Sequence, residues 1–461
     1  MNRGSETAAS LQQTVTFNAR LNRIGIITAA LILLTSSFDV FLVWEAGGNY
    51  RFCQLITPVL VVLALSKAMR GRTIPVLGFV PLSIWLCFQL LFIPSTDFWP
   101  KSLGYCVWLS VNLSLIFAFV QLFGDNRASL LTVLRWYLYS FGILATFGIV
   151  QFFLPVLDLP ALFIQQWWMP GELARVNGLS YEPSYFATYL LTGFVVAGYL
   201  RRCRSFLLPQ RTLVAIHVLT GLGIILSSSR MGIVFLFIEV FMTQLKPWAS
   251  LFAGMVKRRV GIFQLRPLVT SFLFLACIST IAISAAAAIR SNPAIAFLFL
   301  NGTGISNTAS HSVVQREDAF QDTVSVFLKH PLIGTSLGGV SAAIADLEGQ
   351  KIRSFRDSKQ FEGMSVFAEA LAASGVIGVV PFIWFVTTTV RKPLRVAQVA
   401  SPFYRGVLYA LLRSLVYEWA ILQFNQNMLR PYLWTHIAIL AAVYAQALQS
   451  LNAGAGLRHS R

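Results

Sequence analysis

The chain has 461 residues, of which 56% are hydrophobic and only 12% charged, and its mean hydropathy is +0.67. That composition excludes a soluble globular enzyme and defines a polytopic membrane protein. The formal charge of +18 would suit a nucleic-acid partner, but the Lys and Arg residues gather in short loops between apolar runs, as the positive-inside rule requires. No nucleic acid is expected.

Residues 1–23 form a polar tail with Arg3, Arg20 and Arg23, lacking the short apolar core and small-residue cleavage site of a removable signal peptide. Apolar runs suited to crossing a bilayer follow at about Ile24–Trp44, Phe52–Leu65, Ile74–Ile93, Leu103–Phe123 and Leu130–Phe153. A polar loop, Leu154–Ser184, carries Trp167 and Trp168, which suit an interfacial belt. Four more runs cover about Tyr185–Leu200, Leu213–Leu226, Met231–Leu245 and Leu268–Ile289. A hydrophilic segment, residues 290–365, precedes Val366–Val390, Val407–Phe424 and Tyr432–Leu448, and a basic tail begins at 449.

The expected fold is therefore all-α, with about twelve transmembrane helices, nine within residues 24–289 and three within 366–448. The basic loops, such as Arg201-Arg202-Cys203-Arg204, place both termini in the cytoplasm. The loop 154–184, the turn at Arg230 and the segment 290–365 then share the outer side. The five cysteines, Cys53, Cys87, Cys106, Cys203 and Cys277, show no metal spacing, and no disulfide framework is expected.

The most polar approach to an apolar run is Arg175–Tyr189. Arg175, Tyr181 and Glu182 stand just before it, and Pro183 sits where a first helical turn tolerates a missing N–H. Glu182 is favourable near the positive end of a helix dipole. The stretch is either a cradle for an anionic lipid headgroup or a capped interfacial helix start with a snorkelling arginine.

In the hydrophilic segment Ser312 and Gln315 match a capping box. Phe320, Val324, Phe327 and Leu328 then repeat at helical spacing, and Pro331 should stop that helix at His330. Arg316 falls one helical step before Phe320, on the inward stripe. There it needs an anion, either a ligand or Glu317, Asp318 or Asp322.

Other polar residues leave two readings open. Arg353 and Arg356 either guide an anionic lipid or glycan or belong to a solvated charge run. Arg413 and Glu418, inside an apolar run, either pair with each other or serve function. Gln423, Asn425, Gln426 and Asn427, near Trp419, Tyr432 and Trp434, suit sugar binding or an interfacial belt. Asp39 and Glu239 receive no role.

Together these motifs resemble the O-antigen polymerase and ligase superfamily of bacterial surface-polysaccharide assembly. The resemblance spans about residues 130–390. It rests on Arg175-Val176-Asn177-Gly178 running into Glu182-Pro183-Ser184, and on Ser229-Arg230. It continues with Arg316 followed by His330-Pro331-Leu332-Ile333-Gly334, and with Glu369 and Leu371 leading to Gly375-Val376-Ile377-Gly378.

The resemblance implies a GT-C-like multi-spanning glycosyltransferase of the inner membrane, with its site facing the periplasm. Its substrate would be an oligosaccharide linked to undecaprenyl diphosphate, and its partners membrane lipid, a flippase and a chain-length regulator protein. No cofactor or metal is expected, because no paired-aspartate motif or His/Cys cluster with ligand spacing occurs.

Charge on the departing diphosphate then falls to fixed cations, which makes Arg230 and Arg316 the expected clamps. Arg175 and Tyr181 join them as substrate-binding residues, as do Arg353, Arg356, Gln423 and Asn425. Glu182 is the first candidate for the base that receives the acceptor proton and His330 the second. Ligases of the family carry a His-Asn pair where this chain has Met364 and Ser365, which favours a polymerase. A transporter or flippase is the alternative class, and the chain shows no matching halves to support it.

Overall fold

The computed structural model describes residues 22–45, 49–71, 73–256, 310–424 and 428–459, with side chains except at 45, 244–256, 310–315 and 454–459. The apolar run at 268–289, the side chains of the Ser312–Gln315 capping box and the amides at 425–427 lie outside the described residues.

The described chain is mostly helical. α1 (Asn22–Thr35) leads into an antiparallel hairpin of β1 (Val43–Glu45) and β2 (Asn49–Arg51). There follow α2 (Phe52–Arg70), α3 (Phe79–Leu91), a 3-10 turn (Ile93–Ser95), α4 (Trp99–Phe123) and α5 (Arg127–Val156). A second hairpin, β3 (Gln166–Met169) with β4 (Leu173–Arg175), precedes α6 (Pro183–Arg202), α7 (Gln210–Ser227) and α8 (Arg230–Val256). The remainder is α9 (Ser310–Lys329), α10 (Val340–Leu347), a 3-10 turn (Asp357–Phe361), α11 (Val366–Val399), α12 (Pro402–Ile421) and α13 (Pro431–His459). Five of these helices, α2, α4, α5, α7 and α11, are long and apolar enough to cross a membrane.

Two expected spans are shorter than their apolar runs. α1 ends at Thr35, where the hydroxyls of Thr35 and Ser36 donate back to the carbonyls of Leu31 (2.7 Å) and Leu33 (3.0 Å). The chain then turns to meet the loop at Leu179, whose carbonyl accepts from the Asp39 N–H at 2.8 Å. α3 begins only at Phe79, after Pro75 and the left-handed Gly78.

α6 is the axis of the bundle, with every residue from Pro183 to Gly198 buried and α7 and α12 packed against it. A helix apolar on all sides belongs in an interior, and this one is exposed only toward its C-terminal end, at Tyr199, Arg201 and Arg202.

α11 breaks at Gly375, and the loop after α9 docks into the break. The N–H groups of Val376 and Ile377 donate to the carbonyls of Pro331 (2.9 Å) and Leu332 (3.2 Å), and those of Thr335 and Ser336 donate to Ala372 (3.1 Å) and Ala373 (2.9 Å). Gly334 and Gly375 both have positive φ, and a Cβ on either would collide with the opposing backbone. Ser374, inside the joint, accepts from Trp85 Nε1 at 2.9 Å and Gln89 Nε2 at 2.8 Å, which fastens it to α3. The motifs at 330–334 and 375–378 are thus one structural unit.

Arg413 does not pair with Glu418. It meets Glu239 of α8 at 2.8 Å, and Arg202 reaches the same carboxylate at 3.3 Å. A five-residue spacing places Arg413 and Glu418 roughly 140° apart around a helix, so they face different neighbours. Glu418 is buried 3.9 Å from His436 instead.

Candidate functional site

A cavity of about 690 Å³ opens between β4, the N-termini of α6 and α8, one face of α9 and residues 360–364. Arg175 closes β4 opposite Gln166, whose Oε1 accepts from its Nη1 at 2.7 Å. Its Nε and Nη2 reach the carbonyls of Ser227 (3.3 Å) and Ser228 (3.5 Å) at the C-terminal end of α7, where orphan carbonyls attract a cation. The guanidinium also lies 5.6 Å from the Trp168 ring centroid. Burial draws Arg175 below the ordinary arginine range; Glu182 opposes this, and Arg230 and Arg316 add to it. The three guanidinium groups and Glu182 therefore share one electrostatic neighbourhood.

Arg230 is delivered by a tight turn. Ser228 takes a left-handed conformation that ends α7, and Ser229 Oγ accepts from the Gly232 N–H at 3.3 Å, capping α8. Arg230 is thereby the first residue of α8 and stands in the cavity wall. Glu182 is the extended N-cap of α6, held by a 2.9 Å hydrogen bond from Ser184 Oγ to its Oε2. The first turns of α6 and α8 thus border the same space.

Arg316 also lines the cavity, but the inward stripe of α9 is not the expected one. Phe320 and Leu328 are 44% and 68% exposed, whereas Thr323 and Val326 are fully buried. The packed line runs through Ala319, Thr323 and Val326, and Arg316 precedes it at the exposed start of the helix. The helix does end at Lys329, as Pro331 requires. Among the described residues neither Arg230 nor Arg316 has a carboxylate within ion-pair distance.

Carboxylates line the cavity as well: Asp318 and Asp322 on the same helix as Arg316, with Glu348 and Glu362. Burial, with Asp318 nearby, raises the Asp322 carboxyl above its usual range. Glu362 meets the buried Lys101 at 3.6 Å. Sequence patterning offered Asp318 and Asp322 only as partners for Arg316 and missed Glu348 and Glu362, because acids spread over 45 residues carry no spacing.

The floor was missed as well. Tyr185 lines the cavity, and the Arg430 guanidinium lies 3.5 Å from its ring centroid. Arg430 meets Asp39 at 2.7 Å, and Asp39 meets Arg51 at 2.6 Å. Burial by itself would raise the Asp39 carboxyl, but Arg430 and Arg51 hold it below its ordinary range. A charge interrupting the first apolar run was the available signal.

Several expected site residues lie elsewhere. His330 lines a separate cavity beyond α10. Tyr181 is exposed beside Glu182 without forming part of the wall, and Arg353 and Arg356 sit on an exposed segment. Gln423 accepts from Ser365 Oγ at 2.7 Å and donates to the Trp419 carbonyl at 2.8 Å, which steadies the N-cap of α11. Asn425 is outside the described residues. Met364 lines the cavity, while Ser365 caps α11. No family model and no curated protein matches this chain.

Proposed function

We propose that the cavity binds the diphosphate of a polyprenyl-linked oligosaccharide and that the protein transfers the glycan from that carrier to a second lipid-linked unit. The observation that carries this reading is the meeting of Arg175, Arg230 and Arg316 with two helix N-termini in one cavity, two of the arginines lacking any described ion pair. In the transfer, an acceptor hydroxyl oxygen bonds to the anomeric carbon, the bond from that carbon to the phosphate oxygen breaks, and the hydroxyl proton passes to a carboxylate of the cavity. Planar guanidinium groups suit the charge left on the diphosphate. Glu182 acts electrostatically on Arg175 and remains the first candidate for the base.

The wider expectation belongs to the same proposal: about twelve spans, an inner-membrane location and a site on the periplasmic side. Polymerisation is favoured over ligation because Met364 stands in the wall where a ligase would present histidine. Among the described residues no histidine lines the cavity.

The test is a gel of surface polysaccharide from a deletion strain with ligation and export intact, complemented with wild type, Arg230→Ala or Arg316→Ala. Single repeat units on the lipid core, with a ladder restored by wild type alone, support a polymerase. Polymer retained on the carrier, with none on the core, indicates a ligase. Full ladders from both variants overturn the proposal. Removing one such donor should slow transfer about 10²–10³-fold.

A further inference from the structure

α6 is 20 residues long, so its ends stand about 30 Å apart, close to the thickness of the apolar core of a bilayer. The arginine-lined cavity borders its first turn, at residues 182–185. A further cavity, of about 500 Å³, opens past its other end, where the connection from α6 to α7 meets α5. Residues 205–210 line it from the connection, Arg135 and Tyr139 from α5. Both α5 and α7 are among the helices suited to crossing a membrane.

The apolar side chains here suit the boundary between water and lipid. Phe206, in the cavity wall, is 94% exposed, an arrangement that is unfavourable in water and relieved at a bilayer interface. Trp136 and Tyr139 pack edge to face with centroids 6.1 Å apart, and both rings are exposed. From them Ile143, Val150 and Phe153 continue along α5 as an exposed apolar stripe toward the end where α6 begins. Acyl chains fit such a stripe.

The charge around the cavity is of one sign. No Asp or Glu occurs between Asp125 and Asp158, or between Glu182 and Glu239. Arg135 is exposed, and its Nε donates to the Leu207 carbonyl at 3.0 Å, which aims the guanidinium at the connection. Arg204 and Arg211 flank residues 205–210 in the chain, and both are exposed. Among the described residues none of these three arginines has a carboxylate within ion-pair distance. Cations without a counter-charge, set beside an aromatic belt and an apolar stripe, match a headgroup that bears a phosphate and a net negative charge.

We propose that this cavity is a headgroup site for an anionic phospholipid, with the phosphate at Arg135 and the acyl chains along α5. It lies in the leaflet opposite the arginine-lined cavity and shares no lining residue with it. The site is therefore independent of the transfer reading.

The test is native mass spectrometry of the full purified chain in detergent, titrated with dioleoyl phosphatidylglycerol or dioleoyl phosphatidylethanolamine. The anionic lipid should bind at least fivefold more tightly. That preference should survive Arg230→Ala, Arg316→Ala, which removes cations from the other cavity. Arg135→Gln should reduce it about fivefold, the effect of one arginine at a headgroup, and change binding of the zwitterionic lipid less than twofold. Arg135 also holds the Leu207 carbonyl, so the exposed pair Arg204→Gln, Arg211→Gln repeats the reading with that bond intact and the thermal midpoint unchanged. Phe206→Ser should weaken both lipids alike. Equal affinity of wild type for the two lipids would overturn the proposal, as would loss of the preference in the Arg230→Ala, Arg316→Ala protein. So would a preference that persists in both Arg135→Gln and the Arg204→Gln, Arg211→Gln pair, or unchanged lipid binding by Phe206→Ser. A failed polysaccharide gel would remove the transfer reading and leave this result standing.

Discussion

Asp39→Asn is the sharpest test of how the cavity floor is held. The Asp39 and Arg430 side chains are each 8% exposed, and one carboxylate serves two guanidinium groups, at 2.7 Å and 2.6 Å. Removing one member of a buried pair costs about 3–5 kcal/mol, because the other charge stays desolvated. The new amide keeps one acceptor oxygen, which recovers about 1 kcal/mol. The net loss should be about 2–4 kcal/mol. Arg430→Met should cost less, because Asp39 keeps Arg51, and the double variant should fall short of additivity. Equilibrium unfolding in micelles, followed by tryptophan fluorescence, measures all three. A loss below about 1 kcal/mol for Asp39→Asn, or a larger loss for Arg430→Met, would refute the shared-carboxylate account.

Three further outcomes follow from the same structure. The Asp39 carboxyl is held below its ordinary range, so its contribution to stability is complete above that range and is lost as pH falls through the lower folded value. Asp39→Asn should therefore flatten the acid limb of the stability profile below about pH 4 and leave its shape near neutrality unchanged. Gly375→Ala should destabilise by more than about 2 kcal/mol, combining positive-φ strain with collision against the Leu332 backbone, and a variant that unfolds like wild type would contradict the joint. Glu239→Gln should lower stability by about 2–4 kcal/mol, since it strands Arg202 and Arg413 together, and Arg413→Met in the same background should restore part of that loss in the same unfolding assay.

What the sequence disclosed of the site was what local chemistry can disclose. Glu182 and Arg230 were legible because each stands at the start of an apolar run, where a helix N-terminus has to fall, and Arg175 because it belongs to the polar approach to the first of those runs. Arg316 was legible as a polar residue on a helix, although the stripe assigned to it was displaced: Phe320 is large and apolar yet packs on nothing that buries it. The end of α9 at Lys329 followed from Pro331 alone. Arg430 beneath Tyr185 was not legible, because Asp39 and Arg430 are 391 residues apart and no local rule pairs them. The joint between 331–336 and 372–377 was invisible for the same reason, since backbone hydrogen bonds leave no side-chain signature beyond the two glycines. The short α1 and α3 also escaped, because hydropathy alone does not register a back-bonded Thr35 or a left-handed Gly78.

The described arginines of the interior fall into two groups, and the division separates scaffold from site. Arg51, Arg202, Arg413 and Arg430 each reach a carboxylate, and those carboxylates, Asp39 and Glu239, are buried and shared. Such pairs fix segments far apart in the chain and leave nothing to offer a ligand. Arg175 is instead aimed by neutral acceptors, Gln166 and the carbonyls ending α7, which orient a guanidinium without cancelling its charge. Arg230 and Arg316 have no described carboxylate within ion-pair reach, although Asp318 and Asp322 lie on the same helix as Arg316 and line the same cavity. Three arginines and five carboxylates line this one cavity, a mixture that suits a ligand anionic at one end and rich in hydroxyls at the other, as the proposed saccharide on a diphosphate lipid is.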